Sequence, residues 1–84
     1  GEALNAMRLV STGSSELVVS LSVSENKKGN IVYTDMLGNV LYQQAAMLRE
    51  GENTVRVPVP AQRAKLAVVS FVANGERMNL KVLR

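Results

Sequence analysis

The stretch Ile31-Val-Tyr-Thr-Asp35-Met-Leu-Gly38-Asn-Val-Leu-Tyr42 constrains this chain more than any other. Ile31 and Tyr33 fall on one side of an extended backbone and Val32 and Thr34 on the other, and Val40 and Tyr42 resume that alternation after a tight turn. A repeat of two residues is the period of a strand, not of a helix. Asp35 and Gly38 bracket the turn, and each has a job available there. A short carboxylate can accept hydrogen bonds from the backbone amides of the turn it opens, and glycine takes a positive φ at no steric cost. The stretch therefore reads as a β-hairpin, and the rest of the chain has to supply the sheet around it.

The same period recurs on both sides. In Glu16 to Ser24, Leu17, Val19, Leu21 and Val23 form a core face, while Val18, Ser20, Ser22 and Ser24 form a wet one. Met7 and Leu9 predict a first short strand, with Thr12-Gly13-Ser14-Ser15 as the loop after it. Glu25-Asn26-Lys27-Lys28-Gly29-Asn30 reads as a turn rich in breakers. Gln43 to Arg49 contains good helix formers but is too short for an independent helix, and reads as a strand end running into a loop. Glu50-Gly51-Glu52-Asn53 reads as a further turn, defined by Gly51 and Asn53, and Thr54 to Val59 alternates again through Val55, Val57 and Val59. Pro58 and Pro60 have no N–H to give a ladder, which confines that strand to an edge or ends it. Lys65 to Ala73 is a continuous apolar strand, Asn74-Gly75 is a two-residue hairpin turn, and Met78, Leu80 and Val82 then alternate against Arg77, Asn79 and Lys81. About seven short strands with turns every 8–12 residues predict an all-β fold, an Ig-like antiparallel β-sandwich, with an open barrel as the alternative.

Eighty-four residues make one domain, 1–84, in which residues 1–15 supply the first strand and loop. The chain opens on Gly1 rather than Met and reads as an excised or processed fragment. Its longest apolar run, Leu66 to Val72, is broken by Ser70 and has the length of a strand, far short of the ~20 residues of a membrane helix.

The sequence contains no cysteine and no histidine, so a disulfide framework, a thiolate site and histidine-based zinc or nucleophile chemistry are not expected. The acidic residues are dispersed over strand ends and turns, without the pairing of a glycosidase or the spacing of a calcium loop. Gly29, Gly38, Gly51 and Gly75 fall one to a turn and form no phosphate-binding loop. The reading is no enzyme, with no catalytic residues, no cofactor and no metal. The three aromatic rings, Tyr33, Tyr42 and Phe71, belong to apolar strands, which leaves no stacking platform for nucleic acid. The net charge of +3 is uneven: residues 1–42 sum to −1 and residues 43–84 to +4. A basic half of this kind is either a solvated strand face or the footprint of an anionic partner.

Taken in order, Ile31-x-Tyr33-x-Asp35-x-x-Gly38-x-Val40, then Gly51-x-Asn53-x-Val55-x-Val57, then an apolar strand, Asn74-Gly75 and a final Lys81-Val82-Leu83-Arg84 resemble the C-terminal sorting domain of the type IX secretion system of Bacteroidota. The resemblance runs from about Leu17 to the last residue. Two features frequent in that family are missing: a Pro-Asn-Pro segment at the start, and a Gly-x-Tyr near the penultimate strand, where this chain has Ala64-Lys65-Leu66.

The resemblance implies an Ig-like sandwich that serves as an export address. Secretion machinery at the outer membrane would recognise it, carry a covalently linked N-terminal passenger through the periplasm to the cell surface, and a sortase-like peptidase would remove it. It places recognition near the final hairpin, at Asn74, Gly75, Lys81 and Arg84. The competing expectation is an Ig-like or fibronectin-like binding or spacer module of a secreted multidomain protein, for carbohydrate or protein. Edge strands near Thr54 to Val57 or at the chain end are candidates for pairing two copies.

Overall fold

The structure, a computed structural model, describes residues 6–59 and 65–83. Seven strands follow one another in the chain: β1 (Ala6–Thr12), β2 (Glu16–Val23), β3 (Lys27–Asp35), β4 (Val40–Leu48), β5 (Gly51–Pro58), β6 (Leu66–Ala73) and β7 (Glu76–Leu83). They form two antiparallel sheets, one of three strands in the order β1-β2-β5 and one of four in the order β4-β3-β6-β7. Pairing β2 with β5 and β3 with β6 requires the chain to cross repeatedly between the sheets, which is the Greek-key order of an Ig-like sandwich. The predicted all-β sandwich is thus the fold observed.

The core is what the alternation selects. Leu17, Val19, Leu21 and Val23 from β2 meet Ile31 and Tyr33 from β3, Val57 from β5, Ala67, Val69, Phe71 and Ala73 from β6, and Val82 from β7. These side chains are buried, and the aliphatic and aromatic area they withdraw from water is the main favourable term in folding. Tyr33 is the largest fully buried side chain, and no protein group among the described residues reaches its hydroxyl.

Turn chemistry holds the hairpins. The Asp35 carbonyl accepts the Gly38 N–H at 3.1 Å, and Gly38 sits at φ 89°. A one-residue irregularity in the β3–β4 register lies between Tyr33 and Thr34, because Thr34 pairs with Val40 and Tyr33 with Tyr42. Asn74 at φ 46° and Gly75 at φ 79° give the type I′ turn that an Asn-Gly pair favours between β6 and β7. β5 is an edge strand and ends at Pro58, in agreement with the missing donor.

Five local expectations are corrected. Gln43 to Leu48 is regular strand and not a run into a loop: each residue pairs with one on β3, from Gln43 opposite Val32 to Leu48 opposite Lys27, so ladder formation overrides the helix preference of Gln and Ala. Lys27 to Asn30 also belongs to strand β3, and the turn before it is confined to Ser24, Glu25 and Asn26. Gly29 is therefore not a turn glycine; a Cβ there would overlap the Val72 carbonyl oxygen and come within 2.8 Å of the Ala73 Cβ.

Gly51 to Asn53 opens β5 instead of forming a turn. Gly51 takes φ 102° where the chain crosses from one sheet to the other, and Asn53 fastens that crossing from within the strand. The Asn53 Oδ1 accepts the Arg49 N–H at 3.0 Å, and its Nδ2 donates to the Arg49 carbonyl at 2.8 Å. Finally, the outer face of β2 is not uniformly wet, because Ser20 in the middle strand of its sheet is 3% exposed.

Candidate recognition surface

The outward faces of the two sheets differ in chemistry. On the three-stranded sheet, the charged side chains neutralise one another: Arg8 on β1 lies 3.8 Å from Glu52 on β5, and Arg56 on β5 donates to Glu16 on β2 at 2.8 Å. These are surface pairs of small energetic weight, but they leave that face with no net charge.

On the four-stranded sheet, register and alternating burial turn Lys28, Asn30, Val32 and Thr34 of β3 outward together with Val68, Ser70 and Val72 of β6. Arg77, Asn79, Lys81 and Leu83 of β7 continue the same face. Lys28, Arg77 and Lys81 form no ion pair among the described residues. Strand spacing of about 4.8 Å and a rise of about 3.4 Å per residue put neighbouring cations on the order of 12–14 Å apart, a broad positive face and not a tight cluster.

A shallow depression of about 290 Å³ lies in this face, lined by Val32, Thr34, Val68, Ser70, Arg77 and Asn79, with the β3–β4 turn at its rim. The Ser70 hydroxyl, buried beneath it, donates to the Asn79 Oδ1 at 2.6 Å. That bond satisfies the serine within the sheet and fixes the asparagine side chain in the floor.

Asp35, the carboxylate at the rim, is occupied by the turn. Its Oδ1 accepts the Leu37 and Asn39 backbone N–H groups, both at 2.9 Å, and its Oδ2 accepts the Asn39 side-chain amide at 2.8 Å. Donation from the Asn39 side chain, followed by its backbone N–H, holds the Asp35 carboxyl below the usual carboxylate range. It stays ionised and committed to the turn, and it forms no ion pair with the cations of the face among the described residues.

A group whose pKa is depressed on folding stabilises the folded state above its unfolded pKa, and that contribution fades as pH falls through the folded value. Asp35→Ala should therefore lower the melting temperature by a few degrees at neutral pH. The gap between variant and parent should close in acid, where both carboxyl and turn lose the interaction. Thermal melts recorded from neutral pH down through the carboxylate range check this, and a gap independent of pH would contradict the assignment.

The residues expected to mark recognition do not come together. Asn74 and Gly75 make the β6–β7 turn at one end of the sheet, and Lys81 is opposite Val68 toward the other end. Arg84 lies outside the described residues. The turn is held down instead by Glu76, which accepts from Lys27 Nζ at 2.8 Å; that hydrogen bond raises the Lys27 pKa above its usual value. What Lys81 does join is Arg77 and Lys28, neither of which was singled out from the sequence. Alternation alone could have placed Arg77 beside Lys81 on one face of β7, but Lys28 was hidden by reading its segment as a turn.

Among the described residues, no three acidic side chains gather in a way that could hold a metal ion. The fold and this surface define the class: a small Ig-like sandwich module with one neutral and one cationic sheet face. No protein-family model matches the sequence, and no curated protein matches it significantly.

Proposed function

We propose that this chain is a non-catalytic recognition module that acts as a secretion and sorting signal, directing a covalently linked N-terminal passenger across the outer membrane to the cell surface. The observation that carries this reading is the unbalanced outer face of the four-stranded sheet, where Lys28, Arg77 and Lys81 stand without acidic partners around apolar side chains. A face of this kind suits a broad anionic partner surface, since steering by unpaired charge acts over the whole face and not through one pocket. The Ig-like strand order and the β7 strand that ends near Lys81-Val82-Leu83 support the resemblance to the type IX sorting domain. In this reading the partners are the outer-membrane secretion machinery and a sortase-like peptidase, and the route runs through the periplasm.

Truncation is a blunt test of this idea. Deleting Leu80 to Arg84 should trap the passenger in the periplasm, but Val82 is fully buried, so the deletion also removes part of the core. The sharper experiment reverses three exposed charges, Lys28→Glu, Arg77→Glu and Lys81→Glu, in residues 1–84 fused behind a reporter passenger in a type IX-competent host. Surface display should fall at least about tenfold, the scale of losing a 1.4 kcal/mol interaction, with the purified module still folded by circular dichroism. Undiminished display of the triple variant would overturn the role of this face, and undiminished display after the deletion would overturn the sorting reading.

The second reading, a protein-binding module of a secreted multidomain protein, draws on the same depression. Carbohydrate is the weaker version of it, because Tyr33 and Phe71 are buried and Tyr42 is half-buried, its hydroxyl donating to Gln44 at 2.8 Å. Flat ring platforms for sugar faces are thus absent among the described residues.

A further inference from the structure

We infer that β4 is an assembly edge, through which two copies of this chain pair as an antiparallel, two-fold dimer. A sheet edge presents unpaired backbone N–H and C=O groups, and proteins that remain monomeric blunt their edges with charge, proline or bulges. Three of the four edges here are blunted. β1 carries Arg8 and an irregularity between Leu9 and Ser11. β5 carries Glu52, Arg56 and a terminal Pro58, and β7 carries Glu76, Arg77 and Lys81.

β4 is the exception. Val-Leu-Tyr-Gln-Gln-Ala-Ala-Met-Leu over Val40–Leu48 contains no charged residue and no proline. Its register with β3 is regular from Tyr42 to Leu48, so the irregularity near Val40 leaves most of the strand straight. Met47 at its far end is 78% exposed.

The composition of the strand favours a second copy of itself. A two-fold axis at Gln44 sets the regular stretch from Tyr42 to Ala46 against itself, keeps core-facing positions opposite core-facing ones there, and brings no like charges together. Tyr42 then faces Ala46 and Gln43 faces Ala45, so large side chains meet small ones. Gln44 meets its own counterpart, with its amide already oriented by the Tyr42 hydroxyl.

The pairing is closed, because the axis consumes the one unblunted edge of each copy and leaves only blunted edges among the described strands. It joins the two four-stranded sheets into one of eight, with both cationic outer faces on the same side. An anionic surface would then meet six unpaired cations in place of three, and gain avidity without any new contact. The dimer does not depend on the sorting reading and is tested without any secretion assay.

Sedimentation equilibrium of residues 1–84 should give a mass that rises from monomer to dimer with concentration and goes no higher. Ala45→Lys, at an exposed position next to the axis, should return the protein to monomer at every concentration, with a melting curve that matches the parent's at concentrations where the parent is monomeric. Because the chain has no cysteine, Gln44→Cys should form an intermolecular disulfide on mild oxidation, while Thr54→Cys on the β5 edge should not. A monomer at all concentrations overturns the proposal. So does a dimer that survives Ala45→Lys, or one that cross-links through position 54 and not through 44.

Discussion

Gly29→Ala should lower the melting temperature by at least about 10 °C, equivalent to roughly 2–4 kcal/mol for a domain of this size. Gly29 is in the middle of no turn and carries no positive φ; it is a glycine because the neighbouring strand β6 comes too close beside it for a side chain. The Cβ of an alanine would overlap the Val72 carbonyl oxygen and lie 2.8 Å from the Ala73 Cβ, well inside van der Waals contact. Backbone and a short, rigid methyl cannot rotate away as a long side chain could. The strands must therefore separate locally, loosening the β3–β6 pairing that begins at Asn30 opposite Val72. With total stability of about 5–10 kcal/mol expected for a small domain, such a loss removes a large share of it. Denaturant titration reads the effect directly. A Gly29→Ala protein as stable as its parent would show that β6 does not approach β3 this closely.

Tyr33 should give the opposite lesson when its ring and its hydroxyl are removed separately. Tyr33→Ala should cost about 3–5 kcal/mol, because it empties the largest buried volume in the core between the two sheets. Tyr33→Phe should cost nothing, and should stabilise the protein by as much as about 1 kcal/mol. The hydroxyl is fully buried without a protein partner among the described residues, so folding strips it of water and returns no bond in exchange. Paired chemical-denaturation curves for the two variants separate packing from polar burial. A substantial loss on Tyr33→Phe would mean that the hydroxyl makes a stabilising bond after all.

The contrast between these two residues shows how unevenly the fold was legible. Tyr33 could be placed in the core from its alternation with Val32 and Thr34, because strand periodicity is a property of neighbours along the chain. Gly29 was read as a turn former from its neighbours Asn26, Lys27, Lys28 and Asn30, and that reading failed because its reason for being glycine lies on β6, more than forty residues away. Gln43 to Leu48 failed for a related cause: residues with helical preference became strand once β3 offered a complete ladder. Asp35, Gly38, Asn74 and Gly75 were legible because each acts within its own turn. Asn53 was read as a turn residue, yet it works from inside a strand, reaching back to Arg49.

The candidate surface was legible only in fragments. Lys81 was chosen for its place at the end of the chain, but its companions are set by sheet order, since β3, β6 and β7 must lie side by side before Lys28 and Arg77 can share its face. The neutrality of the opposite face is likewise a product of pairing, in which β2 carries β1 and β5 on its two sides and brings Arg8 to Glu52 and Arg56 to Glu16.

By itself, then, the sequence determined that the chain is all-β, which residues of most strands form the apolar side, and where the tight turns at Asp35–Gly38 and Asn74–Gly75 fall. Those are short-range matters, decided by side-chain period and by the φ angles that Asp, Asn and Gly allow. Only the tertiary structure decided which strands share a sheet, why Gly29 must lack a side chain, which face collects unpaired cations and which edge is left open. Each of these depends on contacts between residues far apart in the chain, and burial or charge pairing across such contacts has no signature in the local sequence.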